Sequence, residues 1–420
     1  MSNDTAIART TAMDSFPDTV GEARVNPKTG RPAGPLQGAL LLAASCLAVL
    51  GAVLLSPVLP SMQKDYASTP GSTVLVPLVL TIPALFIAIL APFAGRIVDK
   101  LGRKRVLVTA LFVYAVVGTA PLYINSLGGI IATRVGVGIT EAFIMTCCTT
   151  LLADYFTGAR RDKYLGMQAL VTSISATVFF AIGGLLGSSG WRTPFWLYTV
   201  SLVLAVAMIF AIWATRSSVD GREIAVAKLP PMQWRPLLAP ILVTIFGGIV
   251  FYTLIVELPF VMKTHGVTAS AKVGAISAVA SLATAIGAFL FRWVARRGTR
   301  VLLAGALGLA GVGLLIVALA PSVPVVLIGA IITCFGNGIL LPTLVTWAIS
   351  ALDYEQRGRG TGAWTASIFF GEFACPLLVI GLKGAAGSLA PAIGAIGVLA
   401  LLIAIGSTIA LRPRRAPTFA

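Results

Sequence analysis

Apolar runs of about 20 residues or more, each long enough at 1.5 Å per helical residue to cross about 30 Å of hydrocarbon, recur along this chain with short polar interruptions between them. Twelve are distinguishable, at 36–62, 73–94, 106–125, 128–153, 165–187, 194–216, 236–262, 270–291, 300–320, 323–351, 361–383 and 388–411. The pattern predicts an all-α membrane protein with twelve transmembrane helices. Residues 1–35 are polar, rich in Thr, Pro and Gly, and read as a disordered cytoplasmic tail. They lack the basic start and short apolar core of a signal peptide, so the first span is expected to stay attached. A second polar stretch, 217–235, is the expected cytoplasmic linker, and 412–420 the expected cytoplasmic C-terminal tail.

The linker divides the spans into two sets of six, 36–216 and 236–411, and the sets echo each other. Residues 95–102, GRIVDKLG, register against 291–298, FRWVARRG, each closing the second span of its half. Asp154 and Tyr155 end the fourth span as Asp353 and Tyr354 end the tenth. Two pseudo-symmetric six-helix bundles of this kind are what rocking transporters are built from, with substrate held at their interface near the bilayer midplane.

Composition agrees with the pattern. Of 420 residues 57% are hydrophobic and only 11% charged, against about 25% charged in soluble domains, and the mean hydropathy is +0.94. The 43 Gly and 24 Pro are tolerated where neighbouring helices satisfy the backbone. Lys and Arg total 31 against 15 Asp and Glu, a net charge of +16, which in a soluble chain points first to nucleic acid. Placement argues otherwise. With both termini on the cytoplasmic side, 25 of the basic residues fall in the tails, linker and loops of that side. Five, Lys64, Arg192, Lys263, Lys272 and Lys383, fall on the other, and Arg134 alone lies within a span. That asymmetry is the usual mark of orientation; it implies contact with anionic lipid headgroups at the cytoplasmic face and no nucleic-acid partner. The five cysteines, Cys46, Cys147, Cys148, Cys334 and Cys375, lie in apolar runs without C-x-x-C spacing, and His265 is the one histidine. They read as small buried hydrophobes, with no disulfide framework and no metal site. No H-E-x-x-H, G-x-x-x-x-G-K-[ST] or G-x-S-x-G motif is present, so no enzyme is expected.

One loop is specific. Gly95, Asp99, Gly102, Arg103 and Lys104 form G-x-x-x-D-x-x-G-R-K between spans two and three, where glycines permit a tight turn and close helix approach and Asp99 can be held by basic residues or a helix N-terminus. This resembles the cytoplasmic loop motif of the major facilitator superfamily. The resemblance continues through LLSPVLPSM, RVGVGITEA, GGLLGSSGWRTPFW and GRGTGAWTASIFFGEF, over nearly the whole chain after residue 36. It implies the fold of that superfamily and a cytoplasmic latch favouring the outward-open state. Ala295 replaces Asp99 in the second-half copy, so no equivalent charge latch is expected there. Arg134 with Gly138 resembles the family's R-x-x-x-G pattern, associated there with proton-coupled transport. The antiporter pattern of span five survives in part: aligned on Gly183 and Gly184, it has Ser175, Phe179 and Phe180 where Gly, Gly and Pro are expected.

Ionisable side chains inside a bilayer are functional candidates by default, and here they are Arg134, Glu141, Glu257 and Glu372. Arg134 and Glu141, seven residues apart, share a helix face within roughly 20° and differ in depth by about 10 Å. Desolvation and the Arg134 charge act on Glu141 in opposite senses, a competition that suits a proton site; the alternative is that both only pin span four to its neighbours. Glu372, with Thr361 and Thr365 on its face, reads as part of a cavity-lining stripe, or as a protonated carboxyl bonded within the bundle. Glu257, about five residues from the outer end of span seven and before Pro259, reads as a gate or vestibule residue able to snorkel to water. Phe143, Tyr252, Trp347, Trp364, Phe369 and Phe370 offer aromatic walls or cation-π contacts, or serve as packing. Prolines within spans, Pro57, Pro83, Pro342 and Pro376, read as kinks.

These residues suggest a proton-coupled secondary transporter, by alternating access, that exports small organic compounds such as drugs or metabolites in exchange for protons. No cofactor is expected, the proton gradient being the energy source. The partners are a small-molecule substrate, protons and lipids, and a monomer in a plasma membrane of the bacterial inner-membrane kind is the expectation. The same residues permit proton-linked uptake or facilitated movement of a small organic anion or sugar, with Arg134 as the anion's partner. A transporter-like sensor or assembly protein without net transport is the reading of another class, opposed by the lack of any additional soluble domain.

Overall fold

The computed structural model describes residues 30, 32–214, 232–350, 352–353 and 356–410. The expectations for the N-terminal tail, most of the linker, Tyr354 and the C-terminal tail lie outside these residues. Among the described residues twelve helices are long and apolar enough to cross a membrane. We label them α1 (Pro35–Asp65), α2 (Ser72–Leu101), α3 (Arg103–Leu122), α4 (Leu127–Tyr155), α5 (Gly158–Gly187), α6 (Thr193–Ala211), α7 (Arg235–Thr264), α8 (Ser270–Arg297), α9 (Thr299–Ala318), α10 (Val323–Ser350), α11 (Arg357–Ala386) and α12 (Leu389–Ala410). The predicted spans fall within a few residues of them, and most helices run further at the ends, as amphipathic turns beyond the hydrocarbon are expected to do.

Local chemistry sets the boundaries. Pro35 occupies the first turn of α1, where its missing N–H costs nothing, and the Gly34 N–H donates to Gln37 Oε1 at 2.9 Å. Pro57 interrupts α1, which tightens into a 3-10 turn over Ser56–Val58 and resumes at Leu59. Gly102, at φ 92°, lets α2 pass straight into α3, and Gly298, at φ 81°, repeats the device between α8 and α9. The first seven residues of α6, Thr193–Thr199, are 3-10.

Packing reproduces the duplication read from the sequence. In the first half α4 packs on α2, α3 and α1, α1 on α5, and α3 on α6; in the second α10 packs on α8, α9 and α7, α7 on α11, and α9 on α12. The halves meet where α2 lies against α11 and α5 against α8. Outside these seams large apolar side chains face outward, among them Val203 and Phe210 of α6 and Ile405 and Ile409 of α12, the last exposed by 79%. On a protein in water such a girdle is an aggregation surface; on this multi-pass membrane protein it faces lipid.

Twelve crossings return the chain to the face it started from. We call this the terminal face and the opposite one the far face. At the far end of α5, a Cβ at Gly184 would lie 2.8 Å from Gly274 Cα, and one at Gly274 would lie 2.7 Å from Gly184 Cα. Lipid tails are as apolar as leucine, so helices in a bilayer associate through close backbone approach at small residues. Gly274→Leu is expected to lose about 1–3 kcal/mol through overpacking, read as a lower unfolding midpoint in detergent, whereas Gly305→Leu, on a face where a Cβ meets nothing within 4 Å, should leave the midpoint unchanged.

Candidate functional site

Helix α4 sits in the middle of the first half, and its two ionisable groups are both buried, Arg134 and Glu141 each 1% exposed. Arg134 donates through Nη1 to the Tyr198 hydroxyl on α6 at 2.9 Å, and through Nη2 to the carbonyls of Gly118 and Val117 on α3 at 3.3 and 3.4 Å. Its guanidinium lies 5.1 Å from the ring centroids of both Phe195 and Tyr198, where the ring quadrupoles favour a cation. Its Nε is buried without a partner. The charge is thus held by neutral groups.

Glu141 forms no ion pair with Arg134 among the described residues, although the Arg134 charge still acts on it. The two are linked through rings. Tyr198 packs at 5.1 Å between centroids on Tyr114 of α3. The Tyr114 hydroxyl donates to the Leu47 carbonyl of α1 at 2.7 Å and stands 3.3 Å from Glu141 Oε1. Helix α1 closes the other side: Gly51 abuts the Glu141 carboxylate so closely that a Cβ there would overlap it.

From the second half, Glu372 of α11 is buried, 7% exposed, with no hydrogen bond to its carboxyl among the described residues. Its backbone packs on Gly248 of α7, one turn from Tyr252. Tyr252 of α7 feels both carboxylates and donates across the interface to the Ala52 carbonyl of α1 at 2.7 Å. Ser56 donates to the Ile255 carbonyl of α7 at 2.5 Å. Glu141, against Gly51, and Tyr252, bonded to Ala52, therefore meet on neighbouring residues of α1 at the seam between the halves. Thr361 and Thr365, on α11 with Glu372, are half-buried toward the terminal face, and Thr361 donates to the Arg357 carbonyl.

Glu257 departs from its expected setting. Helix α7 continues through Pro259 to Thr264, leaving Glu257 two turns inside the helix and 5% exposed. It does not snorkel; the charge that reaches it is that of Lys383, near the far end of α11. Among the candidate aromatics, Tyr252 is buried at the centre, Phe143, Trp347, Trp364 and Phe369 are half-buried, and Phe370 is exposed outward by 46%. The Trp364 Nε1 is buried without a partner. The five cysteines are unpaired, and no cluster of three metal-ligating side chains occurs among the described residues.

At the terminal face Arg103 is the centre of the loop motif. It donates through Nε and Nη2 to Asp99 Oδ1, at 3.0 and 2.7 Å, and through Nη1 to Asp154 at the end of α4. Lys104 reaches the carbonyls of Ile209 and Ile212 at 2.8 and 2.6 Å, a cation on the carbonyl end of α6. Gly102 supplies the turn, but a Cβ at Gly95 or Gly102 meets nothing within 4 Å, so neither makes a close helix approach here. Near the end of α8, Arg292 stacks on Phe289 and Trp293, at 4.0 and 4.1 Å.

Three participants were not singled out from the sequence: Tyr114, Tyr198 and Gly51. The signal for the tyrosines was present, since a phenol within a span must find a partner away from water. Nothing local marks Gly51.

A sequence profile described as the Major Facilitator Superfamily matches residues 41–297 and 240–419. The chain is 30% identical over 191 residues to the "Multidrug resistance protein 2" of Bacillus subtilis (strain 168), covering 44% of this chain and 46% of that protein. It is 27% identical over 214 residues to the "Quinolone resistance protein NorA" of Staphylococcus aureus (strain Mu50 / ATCC 700699), covering 50% and 54%. The chain thus spans about half the length of the curated relatives it matches. Two solved structures share its fold: a D-xylose-proton symporter, with TM-score 0.72, 14% identity and 88% and 96% of the two chains covered, and an inward-facing, unoccupied bacterial homolog of the human lysosomal transporter Spinster, with TM-score 0.68, 18% identity and 90% and 95% covered.

Arg134→Lys keeps the charge but cannot fan to Tyr198 and the α3 carbonyls together. A loss of about 1.5–3 kcal/mol is expected, the range for a hydrogen bond to a charged group, measured as the unfolding free energy in micelles. Asp99→Asn leaves Arg103 its Asp154 partner, so stability should fall by less than about 1 kcal/mol, while spin-label distances across the terminal face should shift.

Proposed function

The chain belongs to the major facilitator superfamily, and from that premise we propose that it is a proton-coupled transporter exporting small organic compounds by alternating access. The observation that carries the proposal is the pair of buried carboxyls, Glu141 and Glu372, one from each half, neither in an ion pair among the described residues. A carboxylate fixed in an ion pair has little reason to exchange its proton. One held by a phenol, or by nothing, is free to alternate between neutral and charged as its access to water changes.

Export is supported by the printed names of the relatives, which describe multidrug and quinolone resistance, and by the aromatic and aliphatic character of the surrounding residues. Arg134 weighs against an anion ligand. At 1% exposure, with its charge spread over Tyr198, two carbonyls and two rings, it acts as a fixed positive charge behind Glu141. Orientation follows the basic loops: Arg96, Lys100, Arg105, Arg160, Arg161, Lys163, Arg296 and Arg297 all belong to the terminal face, which the positive-inside bias assigns to the cytoplasm. A plasma membrane with anionic lipid on that side suits this charge.

The test is proton flux in liposomes carrying the protein and a trapped pH dye, under an imposed gradient, with cationic amphiphiles, sugars and organic anions added in turn. Antiport predicts protons moving against a cationic amphiphile, and Glu141→Gln abolishing that movement in protein that still elutes as folded. Proton movement together with a sugar or anion, or unaltered coupling in the variant, would overturn it.

A further inference from the structure

Tyr114 has one hydroxyl proton and two acceptors. The Leu47 carbonyl lies at 2.7 Å and Glu141 Oε1 at 3.3 Å, so the carbonyl is the closer acceptor, and whenever it takes the proton the Tyr114 oxygen is left facing the carboxyl. That arrangement suits a neutral Glu141, whose own O–H can donate to the Tyr114 oxygen. Once Glu141 gives up its proton the carboxylate has no donor of its own, because Gly51 offers no side chain and the nearest cation, Arg134, is taken up by Tyr198 and the α3 carbonyls. The single mobile donor beside it is the Tyr114 hydroxyl.

We propose that Tyr114 is a positioning residue that reads the protonation of Glu141 and passes it to α1, turning its hydroxyl from the Leu47 carbonyl to the carboxylate when Glu141 ionises. The inference rests on the proton-coupled reading above. Tyr114 keeps its proton throughout, and the one proton exchanged is that of Glu141. Among the described residues the groups that touch Glu141 or act on it by charge are Tyr114 from α3, Arg134 on α4, Tyr198 from α6, Tyr252 from α7 and Glu372 from α11, with Gly51 from α1. Among the described residues it is Tyr114 that stands at hydrogen-bond distance from both the carboxyl and a carbonyl of α1.

What α1 does with the signal follows from its other bonds. Five residues beyond Leu47, the Ala52 carbonyl accepts from Tyr252 of α7, and Ser56 donates to the Ile255 carbonyl. Between them, after Val53, the helix leaves α geometry, and the 3-10 turn with Pro57 begins at Ser56, the place where a helix most readily changes its course. The segment from Leu47 to Ser56 therefore carries the Tyr114 bond on one flank and two bonds to the opposite half on the other. Releasing the first alters the support of the contacts that join the halves toward the far face.

The experiment pairs spin labels at Lys64→Cys and Thr264→Cys, exposed positions at the far ends of α1 and α7, in the full chain reconstituted in lipid, with distances recorded across a pH series. Wild type should show a pH-dependent change of distance that Glu141→Gln removes. Tyr114→Phe should still release a proton on alkaline titration, measured with a pH dye against Glu141→Gln, but its far-face distance should no longer follow. A Tyr114→Phe response equal to wild type in amplitude and midpoint overturns the role of Tyr114 and leaves the proton-coupled reading standing. No pH response in wild type, with Glu141→Gln indistinguishable from it in proton release, overturns both. Should Tyr114→Phe fail to fold, 3-fluorotyrosine at position 114 keeps ring and hydroxyl and alters donor strength; a displaced midpoint supports the role and an unchanged one overturns it.

Discussion

Away from water, every polar group of this chain has to find its partner inside the chain. An unsatisfied backbone group in hydrocarbon costs several kcal/mol, which leaves the α-helix as the way across and accounts for the all-helical architecture. The same constraint explains smaller choices. Hydroxyls within spans turn back on their own helix, as Thr140 does on Gly136, Thr146 on Ala142 and Thr253 on Ile249. Where a hydroxyl instead reaches across, it ties helices together: Tyr155 both accepts from the Trp213 N–H and donates to its carbonyl, fixing the end of α6 to α4. Arg134 takes the constraint to its limit, a cation whose two terminal nitrogens are met by a phenol and by carbonyls of α3 that have a lone pair to spare, while its Nε is left without a partner.

The duplication shares out backbone geometry and withholds chemistry. Gly138 of α4 packs against Pro83 of α2, and Gly338 of α10 against Gly287 of α8, with a Cβ at Gly338 3.0 Å from Gly287 Cα. With these glycines superposed, Arg134 falls on Cys334 and Glu141 on Leu341. The two copies of the loop turn share Gly102 and Gly298 and part company at Asp99 and Ala295. A fold that requires close approach at equivalent points therefore preserves glycine in both halves, whereas the centre between them needs its charges only once from each side, and draws the second carboxyl from α11 instead of α10.

That asymmetry explains what was legible in the sequence. The spans could be read because length and apolarity are local properties, and Arg134, Glu141, Glu257 and Glu372 because a charge in a span stands out. The seventh span was read through Pro259 to 262, close to its end at Thr264, but the burial of Glu257 was not, because it depends on the helices packed around α7 and not on the sequence beside it. Tyr114 and Tyr198 were hidden because an aromatic in a span reads as packing until its hydroxyl is followed to a partner on another helix. Gly51 was hidden most completely, since its role is to be empty where Glu141 is full. The loop motif was legible as a pattern, yet the grip of Arg103 on both Asp99 and Asp154 joins residues 51 apart, a distance no local pattern covers.

These relations converge on α1. Its Gly51 gives Glu141 room, its Leu47 carbonyl shares the Tyr114 hydroxyl with that carboxyl, and its Ala52 and Ser56 bond to α7. A helix that both shapes the proton site and bonds to the opposite half cannot answer a change at one without a change at the other. Coupling of this kind needs no long pathway and no large displacement at the carboxyl, because the two events share a stretch of ten residues that leaves α geometry after Val53, just before Pro57. The fixed positive charge of Arg134 completes the arrangement. Held by neutral groups, it biases the field at Glu141 without pairing to it, which on the proposed reading leaves the carboxyl proton as the charge at the centre able to leave.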